Sequence, residues 1–232
     1  MAEPATASRI LVVDDHPLVR EGLGRLISQH QDLLFCGEAA TGREAIAAVA
    51  TQKPDLVLLD LRLRGEDGLE LIKALKAQFP HLKILIISQY DAPLYAERAL
   101  RAGALGYVVK EQAAQEVLNA IRTVLAGDVY LTRGTAALLL HKFIGTSGSA
   151  APEGIQSLSD RELHVLQLLG TGLSSREIAG QLSISFKTVE THRENIKKKL
   201  GLTTAAALIH FATTWAKQDV SIPGDLAREK LK

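Results

Sequence analysis

Three aspartates, a serine and a lysine could together perform phosphoryl-transfer chemistry. Asp14 and Asp15 follow one apolar run, and Asp60, Ser88 and Lys110 each end another. A lone carboxylate is a poor nucleophile towards a phosphoryl donor because both are anions. A Mg²⁺ ion held by Asp15 and Asp60, with Asp14 bound directly or through water, would neutralise that repulsion. We therefore predict that Asp60 accepts a phosphoryl group, with Lys110 and Ser88 binding its oxygens.

Alternating strands and helices must bring these residues to one place. Short apolar runs predict five strands, at 10–13, 33–39, 55–59, 83–87 and 106–109. Helical patterns follow each run, which predicts a doubly wound parallel (βα)5 sheet of the α/β class. Because the carboxyl ends of parallel strands meet at one edge of the sheet, all five polar residues are expected there. Each residue alone would have an ordinary structural explanation, so the prediction depends on the whole set.

Several short motifs carry these residues and support a family resemblance. They are Val13-Asp14-Asp15-His16-Pro17, Leu58-Leu59-Asp60-Leu61-Arg62, Asp67-Gly68 and Gly106-Tyr107-Val108-Val109-Lys110. With them, residues 9–128 resemble a response-regulator receiver domain. The resemblance implies that Asp60 is the phosphoacceptor and that the Arg62 carbonyl joins Asp14, Asp15 and Asp60 around Mg²⁺. It also implies that Ser88 and Tyr107 form a switch pair. Their movement would remodel the face made by the fourth helix, fifth strand and fifth helix, usually for dimerisation.

The loop after Asp60 departs from the family pattern. Receivers usually have Met-Pro where this chain has Leu63-Arg64, and loss of that proline is expected to loosen the loop. Glu111 stands where many receivers have proline. One alternative is an enzyme that turns over a phospho-aspartate, like the haloacid-dehalogenase-type phosphatases. Those enzymes carry a second aspartate two residues after the nucleophile. That position is Arg62 here, so we do not expect a dedicated enzyme.

Composition bounds the rest of the chain. Residues 1–131 hold 14 Lys/Arg and 17 Asp/Glu, whereas residues 157–217 hold 8 and 5, so an acidic half precedes a mildly basic one. The single cysteine, Cys36, suits a reducing cytosol, and neither a signal peptide nor a membrane-spanning run is visible. We expect a cytoplasmic bacterial protein. The predicted segments are a disordered lead (1–8), a linker with a helix (129–156) and a tail without assigned function (218–232).

The second half predicts a four-helix, all-α domain. Ser159 with Glu162, and Ser174 with Glu177, have the spacing of capping boxes and open two helices. A tight turn at 183–185 precedes a longer helix at 186–200, in which Phe186 belongs to the apolar stripe. A fourth helix is predicted at 205–215. The helix opened at Ser174, the tight turn and the helix at 186–200 together make a helix-turn-helix. The helix at 186–200 is the one expected to fit the major groove of DNA.

Motifs in this half carry a second resemblance. They are Leu158-Ser159-Asp160-Arg161-Glu162, Glu177-Ile178-Ala179, Thr188-Val189-Glu190-Thr191-His192-Arg193 and Lys199-Leu200-Gly201. Residues 157–217 with these motifs resemble a LuxR-type DNA-binding domain. Together with the receiver, they make the chain similar to NarL/FixJ-type response regulators. A small helical protein-interaction module is the alternative for this domain.

Roles in DNA binding follow from the helical wheel of residues 186–200. Lys187, Lys197 and Lys198 suit phosphate contacts, which position a protein without specifying sequence. Glu190, Thr191 and Glu194 are candidates for base readout, although each glutamate could instead repel phosphates or pair with a lysine. Arg193 lies near the apolar side and is expected to extend to the rim. The predicted DNA-binding set is Lys187, Thr188, Glu190, Thr191, Arg193, Glu194, Lys197 and Lys198.

These inferences combine into one functional hypothesis. A sensor histidine kinase would phosphorylate Asp60, and phosphorylation would control homodimerisation and binding to double-stranded promoter DNA. RNA polymerase is a possible further partner. The alternative is a regulator that binds DNA independently of phosphorylation and uses the receiver only as a dimerisation module.

Overall fold

The computed structural model describes residues 7–63, 66–88, 93–110, 114–144 and 154–220. The chain forms two compact units, residues 1–148 and residues 149–232. Arg64 and Glu111, at which the chain departs from the receiver pattern, lie outside the described residues. So do most of the Gly/Ser/Pro run at 145–154, nearly all of the lead and most of the tail.

The first unit contains the predicted parallel sheet. Its strands are β1 (Ser8–Val13), β2 (Leu33–Ala39), β3 (Leu56–Leu59), β6 (Lys83–Ser88) and β7 (Gly106–Val109), in the spatial order β2-β1-β3-β6-β7. All four neighbouring pairs are parallel. The helices are α1 (Pro17–Ser28), α2 (Gly42–Gln52), α3 (Gly68–Gln78), α4 (Pro93–Ala102), α5 (Ala114–Ala126) and α6 (Arg133–Ile144). Every residue of β3 and β7 is buried, as expected for a sheet covered on both faces.

Strand register brings the polar strand ends together. Val13 of β1 lies opposite Leu59 of β3, and the Asp60 N–H donates to the Val13 carbonyl at 2.8 Å. Beyond β3 in the strand order, Ser88 of β6 lies opposite Val109 of β7. The residues that follow each strand therefore reach the same carboxyl edge, which confirms the predicted convergence.

Two short strands interrupt the predicted loop after Asp60. β4 (Arg62–Leu63) and β5 (Glu66–Asp67) pair antiparallel, with Arg62 opposite Asp67 and Leu63 opposite Glu66. The sequence analysis treated this stretch as a loop, and that assignment was wrong for the paired residues. Two-residue strands carry almost no periodicity, so their pattern could not reveal them.

The second unit is helical. A short 3₁₀ turn (Ile155–Ser157) precedes α7 (Asp160–Gly170), α8 (Ser175–Gln181), α9 (Phe186–Leu200) and α10 (Ala205–Val220). Both predicted capping boxes form, at the start of α7 and of α8. α7 packs against α9 and α10, and its Leu163 and Leu166 are fully buried. α10 extends past the predicted end at residue 215, where the sequence had no helix-stopping residue until Pro223.

Among the described helices, none has both the length and the apolar character needed to cross a membrane.

Candidate functional site

Two buried carboxylates and one lysine form the centre of the sheet's carboxyl edge. Asp14 is fully buried and Asp60 is 2% exposed. Lys110 Nζ lies 2.5 Å from Asp14 Oδ2 and donates to Asp60 Oδ2 at 2.6 Å. The structure thus brings together three of the residues that the sequence predicted, each delivered by the end of a different strand.

Burial and charge oppose each other at this centre. Burial raises the pKa of Asp60 from 3.8 to about 6, although the ammonium group of Lys110 pulls it down. Burial also acts to lower the pKa of Lys110, but Asp60 and Asp14 outweigh it and hold the pKa above 10.5. At neutral pH Asp60 is therefore mainly ionised and Lys110 is charged, so a carboxylate and a cation lie side by side.

Four side chains fit a divalent cation. Ligand atoms of Asp14, Asp15, His16 and Asp60 all lie within 4.8 Å of one another. Three carboxylates at this edge supply the hard oxygen ligands that Mg²⁺ prefers, so the residues present fit that ion. Mg²⁺ binding by Asp14, Asp15 and Asp60 stays a prediction.

His16 is a member of this cluster that the sequence analysis did not single out. Its backbone N–H donates to Asp14 Oδ1 at 2.8 Å, and its Nδ1 lies 2.7 Å from Asp15 Oδ1. The imidazole is about half exposed at the mouth of the site. Its position directly after Asp14 and Asp15 could have indicated that it belongs to the site. Pro17, the first residue of α1, follows it and indicates only the start of a helix.

Arg62 contacts Asp60 through its backbone. Its N–H donates to Asp60 Oδ1 at 3.1 Å, which orients that carboxylate. The strand pair β4–β5 holds Arg62 opposite Asp67. Coordination of a metal by the Arg62 carbonyl stays a prediction, and the structure adds a contact from its amide.

Ser88 and Tyr107 occupy neighbouring strands at this edge. Ser88 is 1% exposed, and its carbonyl accepts a hydrogen bond of 2.6 Å from the Lys110 N–H. Tyr107 is 1% exposed and lies opposite Ile86 in the register of β6 and β7. The switch role that the resemblance implies for this pair stays a prediction.

The segment after α5 binds the strand that carries Tyr107. The Tyr130 carbonyl accepts from the Tyr107 N–H, and the Tyr130 N–H donates to the Leu105 carbonyl, each at 3.0 Å. The Tyr130 hydroxyl donates to Glu116 Oε2 at 2.6 Å, and α6 packs against α4. The face predicted to be remodelled is thus partly covered by the chain's own next segment. The sequence analysis predicted a helix in the linker at 129–156, which α6 matches, but not these contacts with the receiver.

α9 presents one polar, exposed face in the second unit. Val189 and Ile196 are fully buried, so the opposite side of the helix is accessible. Among the predicted DNA-binding residues, those with exposed side chains are Lys187, Thr188, Thr191, Glu194 and Lys198. Ser185 caps the helix by accepting from the Thr188 N–H at 3.0 Å.

The other three predicted DNA-binding residues make contacts within the domain. Arg193 donates to Ser175 Oγ on α8 and to Glu190 Oε1, and its side chain is 17% exposed. Lys197 Nζ lies 2.8 Å from Glu194 Oε1 and is 16% exposed. Arg193 therefore ties α9 to α8, which is the position of a residue that orients the helix.

Phe186 does not belong to the buried stripe, contrary to the prediction. It is 51% exposed at the first position of α9. Helical side chains lean towards the N-terminus, so the first residue extends beyond the part of α9 that packs. His192 is partly buried, and this burial lowers its pKa below 6.5.

Both units match families of known proteins. Residues 10–122 match the response regulator receiver domain, and residues 156–212 match the LuxR family of bacterial regulatory proteins. The chain is 35% identical over 208 residues to the oxygen regulatory protein NreC of Staphylococcus carnosus. That alignment covers 88% of this chain and 96% of NreC.

Two solved structures are also similar to the chain. RcsB from Salmonella enterica serovar Typhimurium, bound to promoter P1flhDC with the phosphomimetic BeF3⁻, matches with a TM-score of 0.63 and 25% identity. The match covers 89% of this chain and 98% of that one. A structure of two RcsB dimers bound to two parallel DNAs matches with a TM-score of 0.54 and 25% identity, covering 90% and 98%.

Proposed function

Because the chain belongs to the LuxR-type response regulators of two-component systems, we propose that phosphorylation of Asp60 controls its dimerisation and its binding to promoter DNA. Members of this family are DNA-binding regulators and not dedicated enzymes. The observation that supports the proposal most directly is the contact of Lys110 Nζ with both Asp14 and Asp60. This contact brings the Lys110 cation against two buried carboxylates, which is the charge arrangement that a phosphoryl acceptor needs.

The proposed reaction transfers a phosphoryl group from a histidine kinase. A carboxylate oxygen of Asp60 attacks phosphorus, the P–N bond of the phosphohistidine breaks, and an acyl phosphate forms on Asp60. The Lys110 ammonium group then donates a hydrogen bond to one phosphoryl oxygen, and the Ser88 hydroxyl donates to another. A bound Mg²⁺ would neutralise negative charge between the carboxylates and the incoming phosphoryl group. Asp14, Asp15 and Asp60 would hold it, together with the Arg62 carbonyl.

Exposed residues of α9 would contact the duplex. We assign phosphate contacts to Lys187 and Lys198, whose exposed side chains lie on the face opposite the domain core. Thr191 and Glu194 lie on the same face and are candidates for base contacts. Glu190, Arg193 and Lys197 would instead support the helix, since each is partly buried and pairs within the domain. Glu194 pairs with Lys197 but keeps an exposed side chain, so it stays a candidate for base contacts.

A dimer would give this small domain useful affinity. A single helix-turn-helix makes few phosphate contacts, and a second half-site doubles both the contacts and the interface. RcsB, a structural relative, is described as dimers bound to DNA, which supports this assembly. The contacts of Tyr130 with β7 and of α6 with α4 offer a route from the receiver to the segment that leads to the second unit.

A DNA-binding titration tests the proposal. Selection from a random pool of duplexes would supply a bound sequence, and fluorescence anisotropy would measure its affinity with and without acetyl phosphate. We expect the phosphodonor to tighten binding about tenfold, equivalent to ~1.4 kcal/mol, for wild type and to leave Asp60→Asn unchanged. Equal affinities in all four samples would instead identify a regulator that ignores phosphorylation.

A further inference from the structure

The carboxylate of Glu66 is bound to the start of a distant helix. Glu66 Oε2 accepts a hydrogen bond of 2.6 Å from the backbone N–H of Gly42, which lies 24 residues earlier. Gly42 is the first residue of α2. The first N–H groups of a helix have no acceptor within the helix, and a negative charge there is stabilised by the helix dipole. The contact therefore satisfies a donor and places the carboxylate favourably.

The absence of a side chain at Gly42 permits this contact. A Cβ atom at position 42 would overlap Glu66 Oε2 and lie 3.2 Å from Leu71 Cδ1. No real pair of atoms tolerates that overlap, so even alanine would displace the carboxylate. Gly42 has an ordinary helical backbone, so the position does not need the conformational freedom of glycine. It needs glycine because a larger side chain would occupy the space of the Glu66 carboxylate.

The two strands β4 and β5 connect Glu66 to the acceptor site. Glu66 pairs with Leu63, and the adjacent pair joins Asp67 to Arg62. Arg62 in turn donates its backbone N–H to Asp60 Oδ1. Anything that fixes β5 therefore fixes β4, and β4 holds the acceptor carboxylate.

The far end of this strand pair is also anchored. Asp67 Oδ1 accepts from the Leu69 N–H and so caps α3, and the Gly68 N–H donates to the Leu61 carbonyl at 3.2 Å. A Cβ at Gly68 would lie 2.5 Å from the Leu61 backbone, so the two ends of the segment are tightly apposed. Glu66 ties the segment to α2, and Asp67 ties it to α3.

We propose that Glu66 is a positioning residue for the phosphoryl-acceptor site. By holding β5 on α2, it fixes the Arg62 amide on Asp60 and the Arg62 carbonyl at the predicted metal position. This clamp offsets the loop freedom expected from Leu63-Arg64. The inference rests on the proposed function, because the site it positions is the proposed phosphoryl acceptor.

Mg²⁺ affinity of the full chain tests the clamp without requiring phosphorylation. Isothermal titration with MgCl₂ would compare wild type with Glu66→Ala, Glu66→Gln and Gly42→Ala. Glu70→Ala is the matched control, since Glu70 is an exposed carboxylate on α3 that pairs with Lys73. Hydrogen exchange of the backbone amide at position 42, measured in every variant, reports the hydrogen bond itself.

We expect Glu66→Ala and Gly42→Ala to weaken Mg²⁺ binding about fivefold. Loss of one charged hydrogen bond changes an equilibrium constant roughly tenfold, and only part of that loss should reach the metal site. Exchange of the amide at position 42 should quicken in both variants. Glu66→Gln should retain most of the affinity, because its amide oxygen can accept the same N–H, and Glu70→Ala should match wild type. Gly42→Ala keeps the test decisive if Glu66→Ala fails to fold.

Unchanged Mg²⁺ affinity together with faster amide exchange would overturn the proposal, since the contact would then be purely structural. Equal loss in Glu66→Gln and Glu66→Ala would also overturn it. Failure of the proposed function looks different: wild type would bind Mg²⁺ but form no Asp60 adduct with acetyl phosphate, while the order of Mg²⁺ affinities among the variants would still be measurable.

Discussion

At the scale of single residues, Lys110 balances two carboxylates that burial would otherwise make costly. Its ammonium group contacts both Asp14 and Asp60, and its side chain is only 9% exposed. The sequence predicted these three residues because strand ends converge in this fold. It could not predict the contact of His16 with Asp15, since that depends on the rotamer of a half-exposed imidazole.

Replacement of Lys110 by methionine should destabilise the metal-free protein. The change leaves two buried carboxylates without their cation, and breaking such a pair costs about 3 kcal/mol. We expect the free energy of unfolding to fall by that amount in EDTA, as measured by urea denaturation with far-UV circular dichroism. MgCl₂ should restore part of the loss by supplying a replacement cation.

Lys73→Met is the matched control for this measurement. Lys73 is an exposed lysine that pairs with Glu70, and surface pairs contribute little to stability. Its unfolding curve should match that of wild type. Equal stabilities of Lys110→Met and wild type in EDTA would contradict the assigned charge balance.

A second residue-scale prediction concerns Glu162, which links α7 and α9. Burial acts to raise the pKa of Glu162, but the hydrogen bonds from Lys199 and from the Ser159 N–H outweigh it and hold the pKa below 4.5. A lowered pKa in the folded state stabilises the fold above pH 4.5, and this contribution is lost as the pH falls through the folded-state pKa.

Acid denaturation followed by the fluorescence of Trp215 measures this contribution. Trp215 is the single tryptophan of the chain and is buried in α10, so it reports on the second unit. We expect wild type to lose stability as the pH falls below 4.5 and through the depressed folded-state pKa of Glu162. Glu162→Gln should be less stable than wild type at neutral pH. Its free energy of unfolding should also change less as the pH falls below 4.5. If the stabilities of wild type and Glu162→Gln fall in parallel with pH, the Lys199 contact is not formed in solution.

At the scale of elements, local signals predicted the helices well and long-range contacts poorly. Ser159 and Ser174 marked helix starts because capping boxes are local, and Gly201 marked the end of α9 because it adopts a left-handed conformation. The pairing of β4 with β5 depends on residues that only the folded chain brings together. The same holds for the binding of Tyr130 to β7.

The exposed and paired lysines of α9 should behave differently. Lys198→Ala removes an exposed cation and should weaken binding to any duplex, while reducing the slope of log K against log salt by about one for each lost phosphate contact. Fluorescence anisotropy at several salt concentrations measures both quantities.

Lys199→Ala provides the contrast within the same helix. Lys199 Nζ lies 2.6 Å from Glu162 Oε2, so its loss should lower the thermal stability of the second unit, read from Trp215 fluorescence. Its effect on the salt slope should be the smaller of the two. The reverse order, with Lys199→Ala flattening the slope more, would place the duplex on a different side of α9.

At the scale of the whole molecule, an acidic stretch of the chain precedes a mildly basic one. Residues 1–131 carry a net charge of −3 and residues 157–217 a net charge of +3, which suits a regulatory unit joined to an anion-binding one. Composition thus favoured an anion-binding second half. It could not show that α6 packs on α4 within the first unit, because an apolar helix near a linker gives no sign of its partner.

The most direct test of the account is the intact mass of the protein after incubation with Mg²⁺ and acetyl phosphate. Wild type and Asp60→Asn would be compared, with size-exclusion chromatography of the same samples. The account predicts one added phosphoryl group and earlier elution for wild type only. A wild-type protein that gains no mass, and that elutes unchanged even with beryllofluoride, would contradict control by phosphorylation of Asp60.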